Sequence, residues 1–180
     1  GETFLREWTG LVESKSGERG IFNRVSAKNQ VQKYGRRDPN YDFGTNPCSE
    51  IILRPYQFCN LTEVVIREND RFDDLKRKVV LATILGTAQS TLTNFPYLRK
   101  VWKNNTEEER LLGVSLTGIM DNELTNGKKQ GLEKTLSALR EIAVETNREW
   151  STIFHIPQST AITCVKPSGT VSQLVDSASG

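Results

Sequence analysis

The sequence predicts an α/β protein built on parallel strands, and three observations lead there. Four short apolar runs have strand character, at residues 51–53, 58–66, 111–119 and 161–165. Two long stretches with helical periodicity, near 73–94 and 128–154, alternate with them, which is the pattern of strands joined by crossing helices. At 180 residues and 36% hydrophobic content, the chain suits one domain with a real core and hardly two.

The elements follow in order. Phe4, Leu5, Trp8, Leu11 and Val12 recur at helical spacing, so residues 2–15 are expected to form an amphipathic helix that Gly17 and Gly20 end. A short extended piece is expected at 20–23. Residues 28–47 are polar and rich in Arg, Asn, Gly and Pro, the composition of a long loop, and loops of that length are often functional. Residues 51–53 and 58–66 then read as buried extended segments flanking a turn at Arg54-Pro55-Tyr56. Asp73 or Asp74 opens a helix to about Asn94, with Leu75, Val79, Ala82, Leu85 and Leu92 among its apolar positions, and Pro96 closes the region. Residues 111–119 fit a buried strand. The helix expected over 128–154 carries Leu132, Leu136, Leu139, Ile142, Ala143 and Trp150 along one face. A short buried strand at 161–165 leads into Lys166-Pro167-Ser168-Gly169-Thr170 and a helix beginning near Thr170.

Composition removes several function classes. The 24 basic and 22 acidic residues leave a net charge of +2, without the basic excess of a general nucleic-acid binder. No apolar run approaches the ~18 residues of a membrane span, and residues 1–6 lack a signal-peptide pattern. Three cysteines with no CxxC pair, and a single histidine, argue against a structural zinc site or a secreted disulfide framework. No metal site is expected, and the expected setting is a reducing cytoplasm. The absence of an initiator Met and the ending Asp176-Ser177-Ala178-Ser179-Gly180 suggest a piece of something longer.

Three places could carry chemistry. In Asn46-Pro47-Cys48-Ser49-Glu50, proline stiffens a turn that presents an amide able to hold hydroxyls, a thiol and a proton-moving carboxylate. The plain alternative is a buried cysteine beside a surface acid. Cys59, in Phe58-Cys59-Asn60-Leu61, lies on an expected strand, where a core role is the usual one; a loop thiol and a strand thiol near one carboxylate would suit thiol chemistry better. Residues Lys166, Pro167, Ser168, Gly169, Thr170, Val171 and Ser172 join a strand to a helix start, where N–H groups and hydroxyls can hold phosphate. The spacing is not that of a Walker loop, and an ordinary N-cap turn is the alternative. Cys164 reads as core and His155 as a helix-end residue; Arg36-Arg37-Asp38 and Glu107-Glu108-Glu109 read as solvated surface.

Taken in order, Asn46-Pro47-Cys48-Ser49-Glu50-Ile51, Phe58-Cys59-Asn60-Leu61 and Pro167-Ser168-Gly169-Thr170 closely resemble the ribonucleotide reductase large chain. The run from Ser16 to Asn23 resembles the stretch that family carries upstream of its finger loop. Proline before the cysteine looks most like the adenosylcobalamin-dependent class II, although Ser49 stands where Gly is common there. The resemblance covers essentially the whole chain but only a middle portion of the longer family chain.

It implies that residues 1–180 are a fragment, roughly the second half, of a ten-stranded α/β barrel with Cys48 at the tip of a catalytic finger loop. Cys48 would form a thiyl radical that takes the ribose 3′-hydrogen, the radical originating in adenosylcobalamin. Glu50 would act as general base, Asn46 would hold the ribose hydroxyls, and Cys59 would be half of the reducing dithiol, its partner lying outside this chain. Ser168, Gly169, Thr170, Val171 and Ser172 would bind substrate phosphates. The implied partners are a ribonucleoside di- or triphosphate and a dithiol such as thioredoxin, with no direct nucleic-acid or membrane contact. Open sheet edges make self-association plausible, and turnover by this chain alone is not expected. Two other readings are a non-catalytic nucleotide- or phosphate-binding module using the 168–172 turn and a simple thiol-redox protein using a Cys48–Cys59 disulfide.

Overall fold

The computed structural model describes residues 1–17 and 20–180. Its centre is a pair of parallel strands, β3 (Asn60–Val65) and β4 (Leu112–Thr117), in the register Asn60↔Leu112 to Val65↔Thr117. Both were expected within a residue or two. The run expected as a strand at 161–165 lies along the other side of β4: Thr163 pairs with Val114, and Leu112, Val114 and Cys164 exchange backbone bonds across the gap. A three-membered parallel layer results, with β4 in the middle.

Two long helices cover this layer. α3 (Phe72–Gln89) follows β3, and α5 (Leu132–Ile153) leads to the 161–164 run. Val64, Ile66, Leu75, Val79, Leu112, Val114, Leu139, Ala143 and Ile162 form the core between helices and strands. Fully burying each large aliphatic side chain is worth about 1.5–3 kcal/mol, so this cluster is the main support of the layer. α3 starts where Arg71 N donates to Asp74 Oδ2 at 3.0 Å, and Asp73 and Asp74 place negative charge on its first turn. It ends before the expected Asn94, because Ser90, Thr91 and Leu92 turn back onto its last carbonyls.

Asn147, wholly buried on α5, fixes the third strand. Its Nδ2 donates to Thr87 Oγ1 on α3 and to Ser159 Oγ, each at 3.0 Å, and its Oδ1 accepts from Ser159 N at 3.0 Å. One side chain thus ties both helices to the approach of residues 161–164.

Two helices depart from the sequence reading. The expected loop at 28–47 gives way in part to α2 (Arg24–Gln32), which Asn23, in extended backbone, caps by accepting from Ser26 N at 2.9 Å. Only Ala27 and Val31 of α2 are buried, so its apolar stripe is one residue wide. α4 (Lys100–Glu109) was not expected at all, because its buried residues are Thr106 and Glu109. The expected N-terminal helix is present as α1 (Glu2–Ser14), yet none of its residues is buried. Its Phe4 and Trp8 stack on each other with centroids 6.1 Å apart. Glu18 and Arg19, in the run quoted above for its resemblance, lie outside the described residues. Among the described residues, no helix is long and apolar enough to cross a membrane.

Candidate active site

The site begins with a short stem. β1 (Gly44–Thr45) and β2 (Ile52–Leu53) pair antiparallel, Gly44 with Leu53 and Thr45 with Ile52, and close the loop of residues 46–51. Inside the loop, Ser49 N donates to Asn46 O at 3.0 Å, and Ile51 N donates to Asn46 Oδ1 at 3.0 Å. Ser49 sits at φ +64, the left-handed region where glycine is at ease and other residues are strained. The turn exposes Cys48 at the tip and folds Glu50 inward, leaving the Glu50 side chain only 4% exposed.

Glu50 lies in a polar nest. Lys166 Nζ donates to Glu50 Oε1 at 3.1 Å and lies 3.8 Å from Cys48 Sγ. Glu50 Oε2 is buried without a hydrogen-bond partner. Burial pushes the Glu50 carboxyl up, but hydrogen bonds from Asn46, its own backbone and Lys166, with the Lys166 charge, outweigh it and hold the carboxyl below its ordinary value. Cys59 is partly buried; burial first, then the Glu50 charge, pushes its thiol up to about 11. Cys164 is a correction: it is only partly buried, and burial, Cys59 and Glu50 raise it to about 12. It flanks the site because Gly113 leaves room; a Cβ there would meet Cys164 Sγ at 3.1 Å and Ile51 Cδ1 at 3.3 Å.

A second cluster anchors the stem, and it overturns the reading of two charge runs as solvated surface. Arg37 Nη1 donates to Ile52 O at 2.6 Å, while its Nε and Nη2 each reach the Glu109 carboxylate at 2.8 Å. Arg54 Nη2 lies 3.1 Å from Glu109 Oε1, and Gln57 Nε2 donates to Glu109 Oε2 at 2.6 Å. The Arg37 and Glu109 side chains are 5% and 1% exposed. A planar guanidinium matches a carboxylate with two parallel bonds, which makes such burial tolerable. Aromatic rings line it: Arg54 lies 3.6 Å over Tyr41 and Arg37 4.8 Å over Phe43. Arg36 and Glu108 remain at the rim, where Arg36 donates to Ser159 O at 3.0 Å.

The 166–172 turn arrives on the third strand. Lys166 N donates to Ser115 Oγ at 2.8 Å, and α6 (Thr170–Leu174) starts where the sequence placed a helix. Ser168 Oγ accepts from Ser172 N at 3.0 Å, and Ser172 Oγ donates to Ser168 O at 2.7 Å. These two hydroxyls are therefore engaged within the turn. The N–H groups of the first helical turn are the ones that helix geometry leaves without intrahelical partners. His155 lies just past the end of α5, its N donating to Thr152 O at 3.1 Å, as a helix-end residue should. The structure thus gathers Asn46, Cys48, Glu50 and Cys59, with the 166–172 turn joined to them through Lys166. Lys166 was read only as the first residue of that turn. Its one sequence signal is a cation directly before Pro167-Ser168.

No family model matches the chain. The adenosylcobalamin-dependent ribonucleoside-triphosphate reductase of Lactobacillus leichmannii is 29% identical over 199 aligned residues, covering 92% of this chain and 26% of that protein. The chain is similar in sequence to adenosylcobalamin-dependent ribonucleoside-triphosphate reductases. A probable reductase of the same kind from Dictyostelium discoideum is 30% identical over 138 residues, covering 76% of this chain and 18% of its own length. A putative one from Mycobacterium phage D29 is 27% identical over 151 residues, covering 76% and 21%. A solved B12-dependent (class II) ribonucleotide reductase matches 76% of this chain and 22% of its own with a TM-score of 0.64 at 24% identity, which shows a shared α/β fold. The chain spans about a quarter of the length of the Lactobacillus reductase. Kinship with these reductases does not favour the free-standing phosphate-binding module.

Proposed function

We propose that this chain carries the thiyl-radical site of a class II-like ribonucleotide reductase, which reduces ribonucleoside di- or triphosphates to 2′-deoxyribonucleotides. The observation that carries the reading is the loop of residues 46–51, with an exposed thiol two positions from a buried carboxylate that keeps one oxygen free. The residues present fit the thiol end of the adenosylcobalamin reaction, because exposed Cys48 is open to a hydrogen-abstracting radical from outside the loop. The cavities beside the loop and beside Cys164, about 240 and 300 Å³, are too small to enclose a corrinoid, and no residue here is assigned to hold one. When bound, that cofactor supplies an organic radical by cobalt–carbon homolysis.

The chain's own residues would do the following. Cys48 gives up its thiol hydrogen and, as a radical, takes the ribose 3′-hydrogen. Glu50 takes the 3′-hydroxyl proton on Oε2, a role suited to a carboxylate already ionised and aimed by two neighbours. Asn46 spends its carbonyl on Ile51 N, leaving amide hydrogen to share between Glu50 and a ribose hydroxyl. Cys59 supplies one thiol of the reducing pair; its high pKa keeps it a thiol, and so a hydrogen donor, at neutral pH. Ser168, Gly169, Thr170, Val171 and Ser172 form the turn that cradles the substrate phosphates, with the backbone N–H groups ahead of Ser172 as donors and Ser172 N–H and the serine hydroxyls shaping the turn.

The wider reading goes with this one. Residues 1–180 would be part, roughly the second half, of a ten-stranded α/β barrel domain. The parallel layer with β3 on its outer edge agrees with a sheet that continues further. A thioredoxin-like dithiol would return the reducing electrons in a cytoplasmic setting, and the open β3 edge would let the isolated chain self-associate. The chain alone would not sustain turnover, since Cys59 needs a second thiol from elsewhere.

The test is a chimera in which residues 1–180 replace the matching segment of the Lactobacillus reductase. Deoxynucleotide formation that depends on adenosylcobalamin is expected, and it should vanish with Cys48→Ala or Glu50→Gln. Undiminished formation with Cys48→Ala would refute the assignment. Sustained turnover by the isolated 180-residue chain would refute the claim that it is incomplete.

A further inference from the structure

We propose that Lys166 is a positioning residue of this site: its ammonium grips Glu50 by one oxygen, leaves the other free for substrate, and lies against Cys48, so that the finger loop and the phosphate turn move as one unit. The inference rests on the reading of Glu50 as the base, and it adds a residue that the motif order does not assign.

The geometry is specific. Lys166 Nζ stands 3.1 Å from Glu50 Oε1 and 3.8 Å from Cys48 Sγ, so one cation touches both the carboxylate and the thiol. Its backbone is fixed separately, with Lys166 N donating to Ser115 Oγ on β4 at 2.8 Å. The side chain therefore reaches from the central layer of the fold to a loop held only by a short stem. The buried and unpartnered Glu50 Oε2 gives the contact direction. A buried carboxylate oxygen without a donor is costly and normally finds one. With Oε1 occupied by Lys166, the vacancy falls on the oxygen that a substrate hydroxyl can fill. Lys166 is joined through Pro167 to Ser168, so the cation that orients the base is one residue from the turn proposed to hold phosphate.

Arg36, Arg37 and Arg140 line the cavity that Glu50 also lines, and other groups surround the carboxylate more directly. Asn46 and Cys48 come from its own loop, Cys59 from the start of β3, and Cys164 and Lys166 from the third strand, with Arg37 acting on Cys59 from behind. Lys166 is the one among them that both bonds to Glu50 and carries a charge. Consistent with this, the Lys166 ammonium is itself held above its ordinary value, first by the Glu50 hydrogen bond, against burial, and then by the Glu50 charge.

The experiment is a carboxyl ¹³C NMR titration of the 180-residue chain, with Glu50→Gln to assign the signal. The Glu50 midpoint should lie below the ordinary glutamate value in the wild type, shift upward in Lys166→Met, and return toward the wild-type value in Lys166→Arg. A midpoint unmoved by Lys166→Met, or moved equally by Lys166→Arg, would overturn the proposal. If Lys166→Met does not fold, the wild type still decides: the Lys166 ¹⁵Nζ shift must titrate with the Glu50 midpoint, and a flat profile overturns the inference. These readouts need no turnover. An inactive chimera would therefore sink the reductase reading while leaving the Lys166–Glu50 clamp measurable by itself.

Discussion

Replacing Glu109 by Gln should be the most damaging conservative change in the chain. The amide keeps the shape of the carboxylate but removes the charge that Arg37 and Arg54 both approach, with contacts of 2.8, 2.8 and 3.1 Å. What remains is two buried guanidiniums, with, among the described residues, only the rim carboxylate of Glu108 beside them at 2.8 Å from Arg54. Breaking a buried ion pair on one side costs roughly 3–5 kcal/mol, because the surviving charge stays desolvated. For a chain of this length, that loss is a fall in Tm of roughly 6–20 °C. Urea unfolding is a suitable assay, read by the fluorescence of Trp102, which stacks on Phe58 at 5.1 Å next to the cluster. In Arg37→Met/Glu109→Gln the loss should be smaller than the sum of the two single losses, since the double variant leaves fewer stranded charges. A loss below about 1 kcal/mol for Glu109→Gln would mean that water reaches and screens the cluster, as at an exposed pair, and would refute the anchoring role given to it.

Other outcomes follow from the loop. Ser49→Gly should raise stability by about 0.5–1 kcal/mol, because φ +64 strains a residue with a Cβ; an unchanged or lower urea midpoint would count against the turn as described. At pH 8, iodoacetamide should label exposed Cys48 at least ~10-fold faster than Cys59 and Cys164, whose thiols are pushed up to about 11 and 12; peptide mass spectrometry reads the order, and equal rates would contradict it. Glu50 has a folded carboxyl value lowered from 4.5, so its contribution to stability is full above that pH and is lost as pH falls through the lower folded value. Glu50→Gln should remove that part of the acid sensitivity, and parallel stability–pH curves for the two proteins would exclude it.

The layer was legible where apolar periodicity sets structure. β3, β4, α3 and α5 bury Val64, Leu75, Val79, Val114, Leu139 and Ala143, and these residues announce their own faces. α2 and α4 could not be read that way, since their packing faces are one residue wide or polar. The charged runs at 36–38 and 107–109 misled for a related reason. Burial of Arg37 depends on Glu109, 72 positions away, and a sequence read locally shows two solvated charges rather than one buried pair. Cys164 misled by sitting in an apolar run whose neighbour across the layer, Gly113, happens to leave a gap.

The candidate site divides along the same line. Asn46, Cys48, Glu50 and Cys59 stand out because their chemistry is carried by residue type at fixed order along the chain. The parts that hold them do not, because Arg37, Glu109 and Lys166 act across the fold and look like ordinary surface charges in sequence. Their division of labour makes physical sense. A thiol that is to work as a radical must be exposed at the tip and yet cannot wander, and backbone pairing through two-residue strands is too slight to hold it. Arg37 fixes the stem from below through Ile52 O, and Lys166 fixes the tip from above through Glu50. Buried ion pairs add little net stability over apolar packing, but they tolerate few alternative geometries. That intolerance is what the role proposed for this loop requires. Loosening either anchor should therefore disturb the placement of Cys48 before it unfolds the layer beneath.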